Sequence, residues 1–275
     1  MNQERILYED KDIIVCHKAA GIATQTARVG QADMVSEVSN YLKSAPYLGV
    51  VHRLDQPVEG ILVFAKNKQA ASKLSRQITE GCMEKYYYAM VCGWTFKRQD
   101  TLTDYLLKDG RSNMSRIVPP EVKDAKKAVL DYEIPEENIF SLEKYMEKIL
   151  ARKASGNEPV KKASCLGNDA DTKTVIREDE GFKECPEKPR IALARIRLHT
   201  GRHHQIRVQM SQAGMSLLGD YKYADEQTVK ISEQMHVKEI ALCAYRLIVQ
   251  HPGTGKRMEF QIQPEGRWFQ AAMNW

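Results

Sequence analysis

The segment His52-Arg53-Leu54-Asp55-Gln56-Pro57-Val58-Glu59-Gly60-Ile61-Leu62-Val63-Phe64-Ala65-Lys66 seats a carboxylate between a basic residue and an apolar strand. Apolar Leu54 ahead of Asp55, and the loop from Gln56 to Glu59 before the strand, place the acid where the chain emerges from a core. Such a position holds one carboxylate ionised and aimed. An isolated Arg-x-Asp at a strand edge is commonly a surface ion pair worth only ~0–1 kcal/mol, so the segment gains meaning from its companions.

Working outward, Leu198-His199-Thr200-Gly201-Arg202-His203-His204-Gln205-Ile206-Arg207-Val208 packs two arginines, adjacent histidines and a glycine turn into one stretch. Between the two segments lies Lys85-Tyr86-Tyr87-Tyr88-Ala89-Met90-Val91-Cys92-Gly93, and beyond them Gly219-Asp220-Tyr221-Lys222-Tyr223. In this order the chain resembles the RluA family of pseudouridine synthases. That family's H-R-L-D-x-x-T-S-G-(apolar)-A-K, K-x-Y-x-A-x-V-x-G, T-G-R-x-H-Q-I-R-V and G-D-x-x-Y patterns are met in turn. The opening strand, Tyr8 to Val15, and the closing hairpin, His251 to Gly255, are similar too, so the resemblance covers all but roughly Glu136 to Pro189.

The departures sit beside the acid. Val58 and Glu59 stand where the family usually has Thr and Ser, His17 begins a D-K-P-A-G-like stretch, His203 replaces Thr and Ala224 replaces Gly. An inward Glu59 would raise the pKa of Asp55 by like-charge repulsion.

The resemblance implies an isomerase that converts specific uridines of ribosomal or transfer RNA to pseudouridine without metal or organic cofactor. It implies Asp55 as the essential acid, Tyr87 as the platform under uracil, and Arg207 as a catalytic residue. On physical grounds a buried carboxylate needs a cation to stay ionised, and Arg207 is the candidate, because a guanidinium binds a carboxylate bidentately. Arg53 would enter the space left by the flipped base, with His52, Arg202, His204 and Gln205 on the RNA. Tyr86 and Tyr88 should face away from Tyr87. Arg195, Arg197 and His199 share one strand face, which suits phosphate. A metal at His199 and His203 lacks a third ligand and a common helix.

Two other functions compete. A catalytically silent RNA-binding protein on the same fold would explain the altered residues beside Asp55, and a glycoside hydrolase could enlist Glu59 as a second carboxylate. The joint presence of Asp55, Tyr87 and Arg207 argues against the first, and the basic, tyrosine-rich surroundings against the second.

Composition is that of a globular protein: 275 residues, 43% hydrophobic, net charge +5. The modest positive excess suits RNA and many other partners alike. Six cysteines lack any C-x-x-C pair, so neither a disulfide framework nor a zinc site is indicated. No stretch approaches the ~20 apolar residues of a membrane span, and the amino terminus, Met1 to Arg5, shows no apolar stretch behind a basic start. A cytoplasmic monomer acting on RNA and not DNA is expected, as one catalytic domain over residues 1–275 without an amino-terminal S4-type domain.

Periodicity predicts strands at Ile6 to Tyr8, Ile13 to Val15, Ile61 to Ala65, Tyr86 to Val91, Ala128 to Ile134, Ile191 to His199, Ile240 to Gln250 and Arg257 to Gln263. It predicts helices at Met34 to Lys43, Lys68 to Glu80 and His203 to Ala213, each with a cap or glycine stop. The expected fold is α+β, a mixed and largely antiparallel sheet with flanking helices. Glu136 to Pro189, dense in alternating charge, reads as an insertion between two strands. Its first part, Ile139 to Leu150, has helical spacing and could pack on the domain, while the remainder reads as mobile. On loop-closure grounds the whole insertion should be replaceable by a short turn.

Overall fold

The computed structural model describes residues 3–26, 30–43, 47–154 and 188–273. Its strands are β1 (Ile6–Glu9), β2 (Ile13–Lys18), β3 (Gly49–Val50), β4 (Glu59–Ala65), β5 (Glu84–Gly93), β6 (Gln99–Asp109), β7 (Met114–Ile117), β8 (Lys126–Glu133), β9 (Ile139–Ser141), β10 (Arg190–Leu198), β11 (Ser216–Leu217), β12 (Leu242–Gln250) and β13 (Arg257–Gln261). Its α-helices are α1 (Met34–Tyr41), α2 (Lys68–Thr79), α3 (Leu142–Ala154), α4 (Gln205–Gln212), α5 (Glu226–Gln234) and α6 (Arg267–Ala272). One sheet runs β1-β2-β4-β12-β5-β10-β8-β6-β7, and the expected α+β class is the observed one.

Pairing is antiparallel except between β12 and β4. There Ala244 lies opposite Gly60, whose φ is +147° and whose Cβ, if it had one, would sit 2.4 Å from that of Ala244. Glycine is thus required where the strand after Asp55 meets the centre of the sheet.

Strand alternation divides the core. Tyr87, Ala89 and Val91 pack with Ala194, Ile196 and Leu198 on one face, under Met34 and Val38 of α1 and Ile206 and Met210 of α4. Tyr88 and Met90 pack on the other, under α2, α3, α5 and α6, and Tyr88 stacks on Tyr245 at 3.7 Å. Tyr86 and Tyr88 therefore face away from Tyr87, as alternation predicts.

Asn67 caps α2 by accepting from the N–H of Ala70, and Asp33 caps α1 by accepting from that of Ser36. The β12–β13 hairpin closes at His251 to Lys256, as its Pro-Gly sequence predicts. The third helix starts later than expected, at Gln205. His204 adopts φ +54°, which no right-handed helix admits, so both histidines lie in the turn before it. β6 and β7 were not anticipated, because β6 buries only Leu106 and shows no clean apolar alternation.

The predicted insertion has two characters. Its first part forms β9 and α3, with Phe140, Tyr145 and Ile149 in the main core and Tyr145 donating to the Trp268 carbonyl at 2.5 Å. Replacing the whole of Glu136 to Pro189 would therefore remove core, contrary to the expectation from loop closure alone. Of the part expected to be mobile, 151–154 belong to α3 and 155–187 lie outside the described residues.

Candidate active site

Asp55 stands in the loop between β3 and β4. Before it, the Thr24 hydroxyl donates to the Leu54 carbonyl at 2.8 Å and accepts from the Leu54 N–H at 3.1 Å; after it, the N–H of Val58 donates to the Asp55 carbonyl. Fully buried Lys18 fastens the loop from behind. Its three ammonium hydrogens meet three carbonyls, those of Ala19, Ile22 and Gln56, at 3.0, 2.6 and 3.0 Å. Burial pushes the Lys18 pKa down to about 8, against the attraction of Asp55 and Glu59.

About a third of the Asp55 side chain (34%) is open to solvent, while protein packs around the rest. Burial raises its pKa above the ordinary carboxylate value. Arg207, Lys18 and Arg53 oppose that rise, and Asp220 adds to it.

Arg207 does not grip Asp55. Its Nε and Nη2 donate to Oδ2 and Oδ1 of Asp220 at 2.8 and 2.6 Å, a buried bidentate pair, so it reaches Asp55 through charge alone. Asp220 follows Gly219, whose φ is +75° and whose Cβ would fall 2.2 Å from the Glu239 carbonyl. Oδ1 of Asp220 also accepts from the N–H of Lys222 and Tyr223, which holds the Tyr223 ring 4.9 Å from the Arg207 guanidinium.

The Tyr223 hydroxyl accepts from the N–H of Ser115 and lies 2.7 Å from Nδ1 of His204. His204 is buried, and burial, then Arg207 and His203, hold its pKa at about 3. Its Nε2 lies 3.7 Å from Oδ2 of Asp55. A neutral ring facing a carboxylate presents N–H, so the hydrogen belongs on Nε2 and the Tyr223 hydroxyl donates to Nδ1. His204 is thus built into the site's frame, not turned outward to RNA as the sequence suggested.

Tyr87 lies on the same side of the sheet. Burial, then the charge of Asp55, push its pKa well above that of a free phenol, so it stays protonated. The remaining expected RNA contacts divide. Arg53 and Arg202 are exposed, with Arg202 Nε donating to the Lys127 carbonyl. His52 uses Nε2 to accept the N–H of Val63, and burial and Lys85 hold its pKa at about 3. Buried Gln205 donates to Val129 and Gln209 and accepts from Thr200 and Arg202. These two pin the strand and the glycine turn.

Arg195, Arg197 and His199 face the far side and pair with Glu133, Glu84 and Asp131 at 3.2, 3.3 and 2.6 Å. The cleft on that side, lined by Tyr86, Tyr88, Arg195, Arg197, Tyr245 and Arg246, is a field of matched charges away from Asp55. The expectation of a phosphate-binding row there fails, because the acids of β5 and β8 already occupy it. His199 and His203 go to separate partners, Asp131 and Ser115, and share no metal geometry.

Glu59 points inward, but toward His17: its Oε1 accepts from Nε2 of His17 at 3.0 Å and from the N–H of Glu265 at 2.9 Å. The carboxylate acting on Asp55 is Asp220 instead. Val58 fills the core beside Leu54. Asp220, Tyr223 and Lys18, given no role from sequence, were all within segments matching the family pattern. What was not legible there is that their side chains turn back onto Asp55 and Arg207.

Residues 12–212 match the family model described as RNA pseudouridylate synthase. The chain belongs to that family. The RluA resemblance read from its motifs is borne out for this chain. It is 28% identical over 265 residues to a ribosomal large subunit pseudouridine synthase C of Pasteurella multocida, covering 96% of this chain and 66% of that one. It is 24% identical over 268 residues to a tRNA pseudouridine synthase C of Salmonella typhimurium, covering 97% and 87%. The chain thus spans slightly under two thirds of the Pasteurella relative. In fold it is similar to human RNA pseudouridylate synthase domain containing 1, with TM-score 0.64, 17% identity and coverage of 94% and 82%. Human RNA pseudouridylate synthase domain containing 4 gives 0.63, 18%, 98% and 91%. Among the described residues no helix is long and apolar enough to cross a membrane.

Proposed function

We propose that this chain is an RNA pseudouridine synthase, an isomerase acting on uridines of ribosomal or transfer RNA. The observation that carries the reading is a partly exposed Asp55 whose charge acts on buried Tyr87, with Arg207, Lys18 and Arg53 opposing its protonation. The reaction breaks the C1′–N1 bond, turns the uracil, joins C5 to C1′ and removes the C5 hydrogen; N1 gains a hydrogen, so the change is an isomerisation. Flipping the base costs a few kcal/mol, and Arg53, which is exposed, would fill the gap it leaves. Ionised Asp55 serves as nucleophile or as base toward the sugar. Tyr87, held as a phenol, stacks under the uracil, and Arg207 supplies positive charge.

The names of the two relatives support ribosomal or transfer RNA as the substrate class. A single catalytic domain, a monomer, RNA in preference to DNA and a cytoplasmic setting belong to the same reading. A silent RNA-binding chain is disfavoured, because the cations around Asp55 maintain a charge that binding alone does not need. Mapping pseudouridines in RNA from cells with and without the protein tests the proposal: one or more sites should vanish with the protein, and an unchanged map would refute it.

A further inference from the structure

Lys85 is a half-buried cation that the chemistry above does not use. It lies at the start of β5, two residues before Tyr87 and so on the same face of the sheet. Its Nζ sits against the glycine turn after β10: a Cβ built at Gly201 would lie 3.3 Å from it. Arg202 follows that turn, exposed and with only its Nε committed to a protein carbonyl.

The buried cations near Asp55 are satisfied, Lys18 by three carbonyls and Arg207 by Asp220. Lys85 has no such partner among the described residues. The charged groups felt there are cationic: Arg202 and burial both lower the pKa of Lys85, and Lys85 in turn lowers that of His52. Two cations converge on a turn kept clear of side chain, with no acid between them. A protein that holds a half-dry ammonium beside a guanidinium loses stability unless an anion joins them.

We propose that Lys85, Arg202 and the Gly201 turn form a binding site for one phosphate group, filled in the working complex by a backbone phosphate of the substrate RNA strand. This assignment rests on the pseudouridine synthase reading for its occupant, but not for its anion chemistry. Apart from the glycine's own chain neighbours, Lys85 Nζ is the one atom of the described residues within 4 Å of a Cβ built at Gly201, so the turn is otherwise open there, exposed Arg202 follows it, and Gln205 fixes the turn by accepting from the N–H of Arg202 at 3.0 Å. Lys85 holds the strand in register and touches no reacting atom.

The test uses the full chain and three variants, Lys85→Met, Lys85→Arg and Arg202→Gln. Melting temperatures are measured with sodium sulfate or inorganic phosphate against chloride of equal ionic strength, and RNA affinity is measured across a salt series. The expected results are that both anions raise the wild-type melting temperature and do so far less in Lys85→Met, which should melt above the wild type in chloride because a repelled charge has gone. The slope of log affinity against log salt should become shallower by about 0.7 to 0.9 in Lys85→Met and in Arg202→Gln, as for one lost phosphate contact, and should persist in Lys85→Arg. In tritium release Lys85→Met should raise KM and leave kcat near that of the wild type. An unchanged anion response and salt slope in Lys85→Met and Arg202→Gln would overturn the proposal, as would a Lys85→Met protein less stable than the wild type with an unaltered slope. If Lys85→Met does not fold, exposed Arg202→Gln decides. Tritium release by the wild type with no anion effect would fail the site and leave the enzyme reading standing. An anion effect without tritium release from any RNA would do the reverse.

Discussion

Arg207 holds Asp220 by two nitrogens on two oxygens, with both side chains buried. A buried pair broken on one side leaves a charge without its partner, a loss of ~3–5 kcal/mol. Asp220→Asn should therefore lower the urea midpoint of unfolding and depress tritium release together, because the same fork sets where Arg207 stands relative to Asp55. Arg207→Lys, which keeps the charge and loses the fork, should do likewise. An Asp220→Asn protein of wild-type stability and activity would contradict the geometry.

Asp55→Asn removes the charge and keeps the shape. Tritium release from 5-tritiated uridine in RNA should cease while RNA binding persists. The raised pKa of Asp55 means that its ionised form opposes folding above that pKa, and that this cost disappears as pH falls through it. Asp55→Asn should consequently melt no lower than the wild type near neutral pH, with the difference between them shrinking in acid. A clearly less stable variant at neutral pH would show that the carboxylate is held by more than the cations named here.

The pH dependence of tritium release should show an acid limb above the ordinary carboxylate value, set by Asp55, and no limb near 6.5 from histidine, since His203 and His204 sit at about 4 and about 3. Replacing His204 with Phe removes the N–H that faces Asp55, so the acid limb should move to higher pH. A limb unmoved in His204→Phe would mean that the 3.7 Å approach carries no interaction.

Substituting residues 155–187 with a short glycine-containing linker should leave the protein folded, because each doubling of loop length changes closure by only ~0.6 kcal/mol. Extending the deletion to residue 136 strips Phe140, Tyr145 and Ile149 from the core and should abolish cooperative unfolding. Circular dichroism melts of the two deletions separate these outcomes, and equal melts would place α3 outside the stabilising core.

Asp55 and its setting were readable because an apolar strand follows it directly, and the alternation around Tyr87 needed only the period of a strand. The partner of Arg207 was not readable: Asp55 and Asp220 are both acids in matched segments, and only the turn at Gly219 decides which one meets the fork. His204 looked like an RNA contact because a histidine in a basic turn usually points outward, whereas its left-handed backbone turns it under Tyr223. β6 escaped because a strand with only one buried residue carries no periodic signal. Arg195 and Arg197 misled because a row of like charges on one strand says nothing about the acids on its neighbours.

His17 and Glu59 each look like a defect when the family pattern is compared one column at a time: a base where an acid is usual, and an acid where a hydroxyl is usual. Joined at 3.0 Å across β2 and β4, they are a single exchange. Neither half is stable alone, since Glu59 without His17 is a carboxylate sealed away beside the loop of Asp55, and an acid at position 17 would confront it with a second negative charge. The two side chains thus complete one another across neighbouring strands, so that a chain departing from its family's signature at two positions gains one buried contact between them.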